Sequence, residues 1–245
     1  GQSAAAPAHD SAGSHVVSLD ARQTVAAGES ASGGHGAAAP VNAAPAPSEF
    51  KSAAWNFELF KKAVEDGGRK VNIDEKTFVQ IQERKQPALG IIEKYLKERL
   101  GTADPAVLKA FSELPREYYH YQYAENRLFA DKAYELENIK PWAIGYGSAL
   151  SDYLGQAYMT QVSKPTANSV ALGIGTGSGY QSSLLSRIVK KVYSIEIIEP
   201  LGTAVAKIYK PLGITNVETR VGDGFFGWPE VKGGFDIIIV TCAAQ

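Results

Sequence analysis

The pattern of apolar and polar positions divides the chain near residue 50. Gly1 to about Glu49 is mostly Ala, Gly, Ser and Pro with scattered polar residues and almost no large apolar side chain. Such a segment buries too little surface to offset its ordering entropy, so residues 1–50 read as a disordered tail or tether. From Ala53 the apolar positions take helical spacing, and Trp55, Phe57, Leu59, Phe60, Ala63 and Val64 predict a short helix ended by Gly67 and Gly68. Asp74 has the chemistry of an N-cap for a second helix carrying Phe78, Val79 and Ile81, which is expected to break near Pro87. Ile91, Ile92, Tyr95, Leu96 and Leu100 repeat at helical spacing up to Gly101. Asp104 and Pro105 then supply a cap and first turn for a helix containing Val107, Leu108, Phe111 and Leu114.

The pattern changes again at Val170. Val170, Ala171, Leu172 and Ile174 form an apolar run that stops at the glycine-rich turn Gly175, Thr176, Gly177, Ser178, Gly179. A helix-like segment with Leu184, Leu185, Ile188 and Val189 on one face follows, then a second apolar run from Val192 to Ile195 that ends on Glu196. Strand, tight turn, helix, strand and an acid about 20 residues beyond the first glycine make up the layout of a nucleotide-binding βαβ unit. The glycines let backbone approach a ligand closely, and the acid can accept hydrogen bonds from two ribose hydroxyls. Asn216 to Val221 and Phe235 to Val240 read as two further strands, the latter ending at Thr241 and Cys242. The fold class is therefore α/β, with a helical N-terminal region ahead of a parallel sheet.

Four segments, IGTGSGYQ (Ile174 to Gln181), VYSIEIIEPL (Val192 to Leu201), VGDGFFGWPE (Val221 to Glu230) and FDIIIVTCAA (Phe235 to Ala244), resemble in order and spacing the motifs of protein L-isoaspartate O-methyltransferases. The resemblance runs from about Ile91 to the last residue. It implies a class I, Rossmann-like methyltransferase core over 166–245, a helical and substrate-loop region over 91–165, and an added helical segment over 51–90 with a packing or partner-contact role. It also implies S-adenosylmethionine as cofactor, with Gly175 to Gly179 at its methionine portion, Glu196 on the ribose, and Asp223 with Gly224 at the adenine. Thr241 closes the set at a strand's carboxyl end. Residues 143–160 resemble the family's substrate loop, where Ser151 falls on the serine that would lie beside the carboxylate to be methylated; the alternative is that Ser151 only caps the following helix.

Several positions depart from the family pattern. Gly173 stands where the family that the chain resembles has an acid that helps hold the cofactor's ammonium group, a loss of ~1.5–3 kcal/mol. Ala149 replaces a threonine, removing a hydroxyl, and Asp152 adds negative charge beside a site meant for a carboxylate. Only four strands can be counted, so the sheet is expected to continue past Gln245 or to have its open edge covered by another chain. Two rivals to the enzyme reading follow: a non-catalytic methyltransferase-like subunit of a larger assembly, and a methyltransferase with another substrate.

Composition narrows the rest. A formal net charge of -1 gives no reason to expect nucleic acid as a partner, and no apolar stretch reaches the ~18 residues of a membrane span. The single cysteine, Cys242, reads as a small packed residue. His9, His15 and His35 have no metal-site spacing, so no metal is expected. His120, amid many tyrosines, reads as packed or surface-lying rather than as a general base, and Arg116 either holds a carboxylate or is solvated or locally paired. The family implies a cytoplasmic protein, whereas an Ala-rich start without Met fits removal of an export signal or a partial chain.

Overall fold

The computed structural model describes residues 15–18 and 55–242. Of the predicted tail, only β1 (His15–Ser18) is described, and the rest lies outside the described residues. Asn56 caps α1 (Phe57–Asp66) by accepting from the Leu59 amide at 2.9 Å, and the helix buries Phe60, Ala63 and Val64. Asp74 caps α2 (Glu75–Leu100) in the same way, through the Thr77 amide at 2.8 Å.

The expected break at Pro87 does not occur: α2 is one helix of 26 residues with Pro87 inside it. Pro87 leaves the Glu83 carbonyl without its helical donor, a cost of up to ~3 kcal/mol. The stripe Phe78, Ile81, Ala88, Ile92 and Leu96 is buried on both sides of the proline, and burying it as one face outweighs that cost. As a result α2 joins the added segment to the family-like region without interruption.

The helix α3 (Pro105–Glu113) begins at Asp104 with proline in its first turn, as its pattern predicts. Two short antiparallel pairs follow, β2 (Tyr121–Gln122) with β3 (Arg127–Leu128), and β4 (Trp142–Gly145) with β5 (Ser148–Leu150). The second pair makes residues 142–150 a hairpin that feeds α4 (Tyr153–Val162). The core sheet then forms from β6 (Val170–Ile174), α5 (Tyr180–Ser186), β7 (Lys191–Glu196), α6 (Glu199–Val205), β8 (Val217–Val221) and β9 (Ile237–Val240). Strand order is β1-β9-β6-β7-β8, parallel throughout, so four strands fall where the apolar runs place them, and a fifth, β1, corrects two expectations: His15–Ser18, within the segment expected to be disordered, forms a strand, and the edge of β9 expected to need a continuation or another chain is paired by this chain itself.

Strand alternation sorts the side chains into two cores. Ala171, Val192, Ile237 and Ile239 join the large cluster formed with the helices, and Leu172 and Ile195 pack with Trp228 on the other face. No helix among the described residues is long and apolar enough to cross a membrane.

Candidate active site

The chain runs from β6 to β7 to β8 on one side and returns to β9 on the other, so the sheet order reverses between β6 and β9. Ligands of open α/β sheets bind outside the carboxyl ends at such a switch point. An open cavity of about 670 Å³ lies there, within the ~300–1,000 Å³ typical of small-molecule sites.

One wall is the glycine turn. Gly175 has φ +86°, and a Cβ there would stand 2.9 Å from Thr241 Oγ1, whose hydroxyl donates to the Gly175 carbonyl at 2.7 Å. A second wall is the end of β7. The Glu196 carboxylate is 4% exposed; Oε2 accepts from the Gly177 amide at 2.8 Å and Oε1 from the Ile198 amide at 3.1 Å. Two of its roughly four lone-pair sites are thereby used to fix it, and the others remain for a ligand. Asp223, Gly224 and Phe225 form a third wall after β8. Asp223 is exposed and accepts from the Phe225 amide at 2.9 Å, so it is a turn residue and a cavity residue at once. Glycine is required at 224, where a Cβ would lie 2.5 Å from Ile174 Cγ2.

The remaining expected residues stand behind these walls. Thr176 is buried and shares a hydrogen bond of 2.8 Å with Ser194 Oγ, Ser178 Oγ accepts from the Tyr180 amide at 3.2 Å, and Gly179 packs against Val205, Ile208 and Tyr209. They shape the turn, while Gly175 and Gly177 reach the cavity. Ser151 is half-buried and outside the cavity lining; Ser148 and Ala149 of the same loop line it. The cap of α4 is Asp152, which accepts from the Gly155 amide at 2.8 Å, and not Ser151.

Sequence reasoning missed Ile197, which lines the cavity while 67% exposed; Phe225, 84% exposed, lines it too and belongs to the aromatic stretch after Asp223 that the family resemblance sets over the adenine. Ile197 directly follows Glu196, so adjacency to that motif residue was the available signal. Cys242, expected to be packed, is exposed and lines the cavity, while partial desolvation and then the Glu196 carboxylate push its thiol up, away from thiolate chemistry. Among the described residues no group of His, Cys, Asp and Glu could hold a metal.

Arg116 is neither solvated nor on a carboxylate. It is 2% exposed, with Nη2 donating to the Ser151 carbonyl at 2.7 Å and Nη1 to Gln156 Oε1 at 2.5 Å. Its guanidinium lies 4.7 Å from the Tyr180 ring centroid. His120 is packed: it is 3% exposed, neither ring nitrogen has a partner, and burial followed by the Arg116 charge holds its pKa well below the usual value.

A parallel sheet with a glycine turn and a buried acid, Glu196, at its switch point is that of a class I, Rossmann-like methyltransferase core. The chain belongs to the protein-L-isoaspartate(D-aspartate) O-methyltransferase family, whose model matches residues 89–245. It is 43% identical over 149 residues to protein-L-isoaspartate O-methyltransferase 2 of Syntrophobacter fumaroxidans, covering 60% of this chain and 57% of that one. It is 51% identical over 105 residues to protein-L-isoaspartate O-methyltransferase 1 of Nitrosospira multiformis, covering 43% of this chain and 44% of that one. The chain thus spans about half the length of these curated relatives. A solved protein-L-isoaspartate O-methyltransferase superposes with TM-score 0.53 at 26% identity, covering 64% of this chain and 47% of that one. Both α1 and the first part of α2 precede the matched region.

Proposed function

We propose that the protein is an S-adenosylmethionine-dependent carboxyl O-methyltransferase acting on altered aspartyl residues of proteins or peptides. The observation that carries this is the Glu196 carboxylate, held by two backbone amides on the wall of a switch-point cavity with spare acceptor capacity. The cavity fits a nucleoside: Gly175 and Gly224 let backbone pack closely against Thr241 and Ile174 at its walls, and Ile197 and Phe225 offer apolar surface for a base.

In this reading Glu196 accepts from the ribose, Asp223 accepts from the adenine amino group, and Gly175 and Gly177 admit the methionine portion. When bound, the cofactor supplies an electrophilic methyl group. Carboxylates are already nucleophilic, so proximity and orientation by the β4–β5 loop and Ser151 carry most of the rate, and no strong general base is needed. His120, neutral and enclosed, is consistent with that.

One observation favours a second reading, a methyltransferase-like subunit that binds without transferring: Gly173 brings no carboxylate to the methionine end. Transfer of labelled methyl to an isoaspartyl peptide, against its aspartyl twin, separates the two. Labelling of the isoaspartyl form alone supports the enzyme; nucleoside binding without labelling of either supports the subunit.

A further inference from the structure

Arg116 is a buried cation with no carboxylate within ion-pairing distance among the described residues, and its Nε has no partner. Enclosing an unpaired guanidinium is costly, and an apolar side chain of that size would pack the same place at lower cost. Its two terminal nitrogens both go to the start of the substrate-loop exit: Nη2 to the Ser151 carbonyl and Nη1 to Gln156 on the first turns of α4. Its guanidinium lies over the ring of Tyr180, at the start of the helix that follows the glycine turn. The guanidinium therefore touches the substrate loop and the helix that follows the glycine turn at once.

The segment carrying Arg116 is itself held from the added helices. The Arg116 amide donates to Tyr134 Oη at 3.0 Å, and that hydroxyl donates to Glu117 Oε2 at 2.8 Å. Glu117 is fully buried, and its Oε1 accepts from Trp55 Nε1 at 2.8 Å and from Gln82 Nε2 at 2.7 Å. Trp55 and Gln82 precede the region matched by the family model. On the far side, the Gln156 carbonyl accepts from Thr160 Oγ1, which accepts from Gln181 Nε2 on α5.

We propose that Arg116 is a positioning residue that holds the Ser151 end of the substrate loop to α4 and to Tyr180 at the start of α5, braced by the added N-terminal helices through Tyr134 and Glu117. The proposal rests on the functional reading above for its substrate and on geometry alone for the loop. It is tested on the full chain with Arg116→Met and Arg116→Lys, reading amide exchange in residues 148–152 and in β6, S-adenosylhomocysteine affinity, and KM and kcat for an isoaspartyl peptide. Arg116→Met should speed exchange of the loop amides about tenfold or more with β6 unchanged. It should raise peptide KM about tenfold while kcat and S-adenosylhomocysteine affinity stay within about threefold, with Arg116→Lys recovering part of the KM. Unchanged loop exchange, or a loss shared equally by β6 and S-adenosylhomocysteine binding, would overturn it. If Arg116→Met fails to fold, Gln156→Leu removes one of the two anchors with Arg116 in place, and the same readouts decide. If the wild-type chain does not methylate the peptide, the functional reading falls, while loop exchange still decides the role of Arg116.

Discussion

Restoring a carboxylate at position 173 should tighten the cofactor site. Gly173 lies in β6, opposite Ser194 of β7 and Ile239 of β9. A Cβ placed there meets Ser194 Oγ at 3.3 Å and the Tyr193 carbonyl at 3.8 Å, so a side chain enters if Ser194 yields by a few tenths of an ångström. Ser194 Oγ shares its hydrogen bond with Thr176 Oγ1, and an aspartate at 173 would offer that hydroxyl a charged acceptor. A charge-assisted hydrogen bond contributes ~1.5–3 kcal/mol, or about ten- to a hundredfold in affinity. Gly173→Asp should therefore bind S-adenosylhomocysteine about ten- to a hundredfold more tightly by calorimetry. In the ligand-free protein the same substitution should cost about 1–3 kcal/mol, because the new carboxylate lacks its ammonium partner. Gly173→Asn, equal in size and uncharged, is the control and should leave affinity within about threefold. If Gly173→Asp fails to tighten binding, or Gly173→Asn tightens it equally, the assignment of this strand position to the ligand's ammonium end is refuted.

Two further outcomes concern the fold. His120 is neutral in the folded state and titrates near its ordinary value of ~6.5 when unfolded, so below that pH the unfolded state binds more protons. Its contribution to stability is present above pH ~6.5 and falls by up to ~1.4 kcal/mol per unit below it. The stability difference between wild type and His120→Leu, from urea unfolding, should shift by ~2 kcal/mol against wild type between pH 6.5 and 5; an unchanged difference contradicts the buried neutral histidine. Pro87→Ala returns a donor to the Glu83 carbonyl and should stabilise the protein by about 1–3 kcal/mol in the same assay; destabilisation would show that α2 is not helical through that point.

The parts of this molecule written in local patterns could be read from the chain. The glycine turn, Glu196 at a strand's end and the caps Asn56, Asp74 and Asp104 each act on neighbours a few residues away, or follow from strand and helix period. Of these Asn56 alone escaped the reading, since the apolar pattern gives only an approximate start. Pro87 misled for the same reason: a local rule predicts a break, and the buried stripe that overrides it needs tertiary partners. The β2–β3 and β4–β5 pairs have strands of only two to four residues, too short for an alternation to register. Arg116 was illegible in another way, since its partners Ser151 and Gln156 lie 35 and 40 residues ahead. Asp152 was read as charge facing a substrate, whereas the start of α4 claims its carboxylate as a cap.

The central claim is that the cavity between β6 and β9 is a nucleoside site organised by Glu196. Titration of the 245-residue chain with S-adenosylhomocysteine, repeated on Glu196→Ala, tests it most directly. One-to-one binding is expected, weakened by about a hundredfold or more in Glu196→Ala, since the substitution removes the proposed ribose acceptor and the clamp on the glycine turn together. Absence of binding in wild type and in Gly173→Asp alike, or binding indifferent to Glu196→Ala, would contradict it.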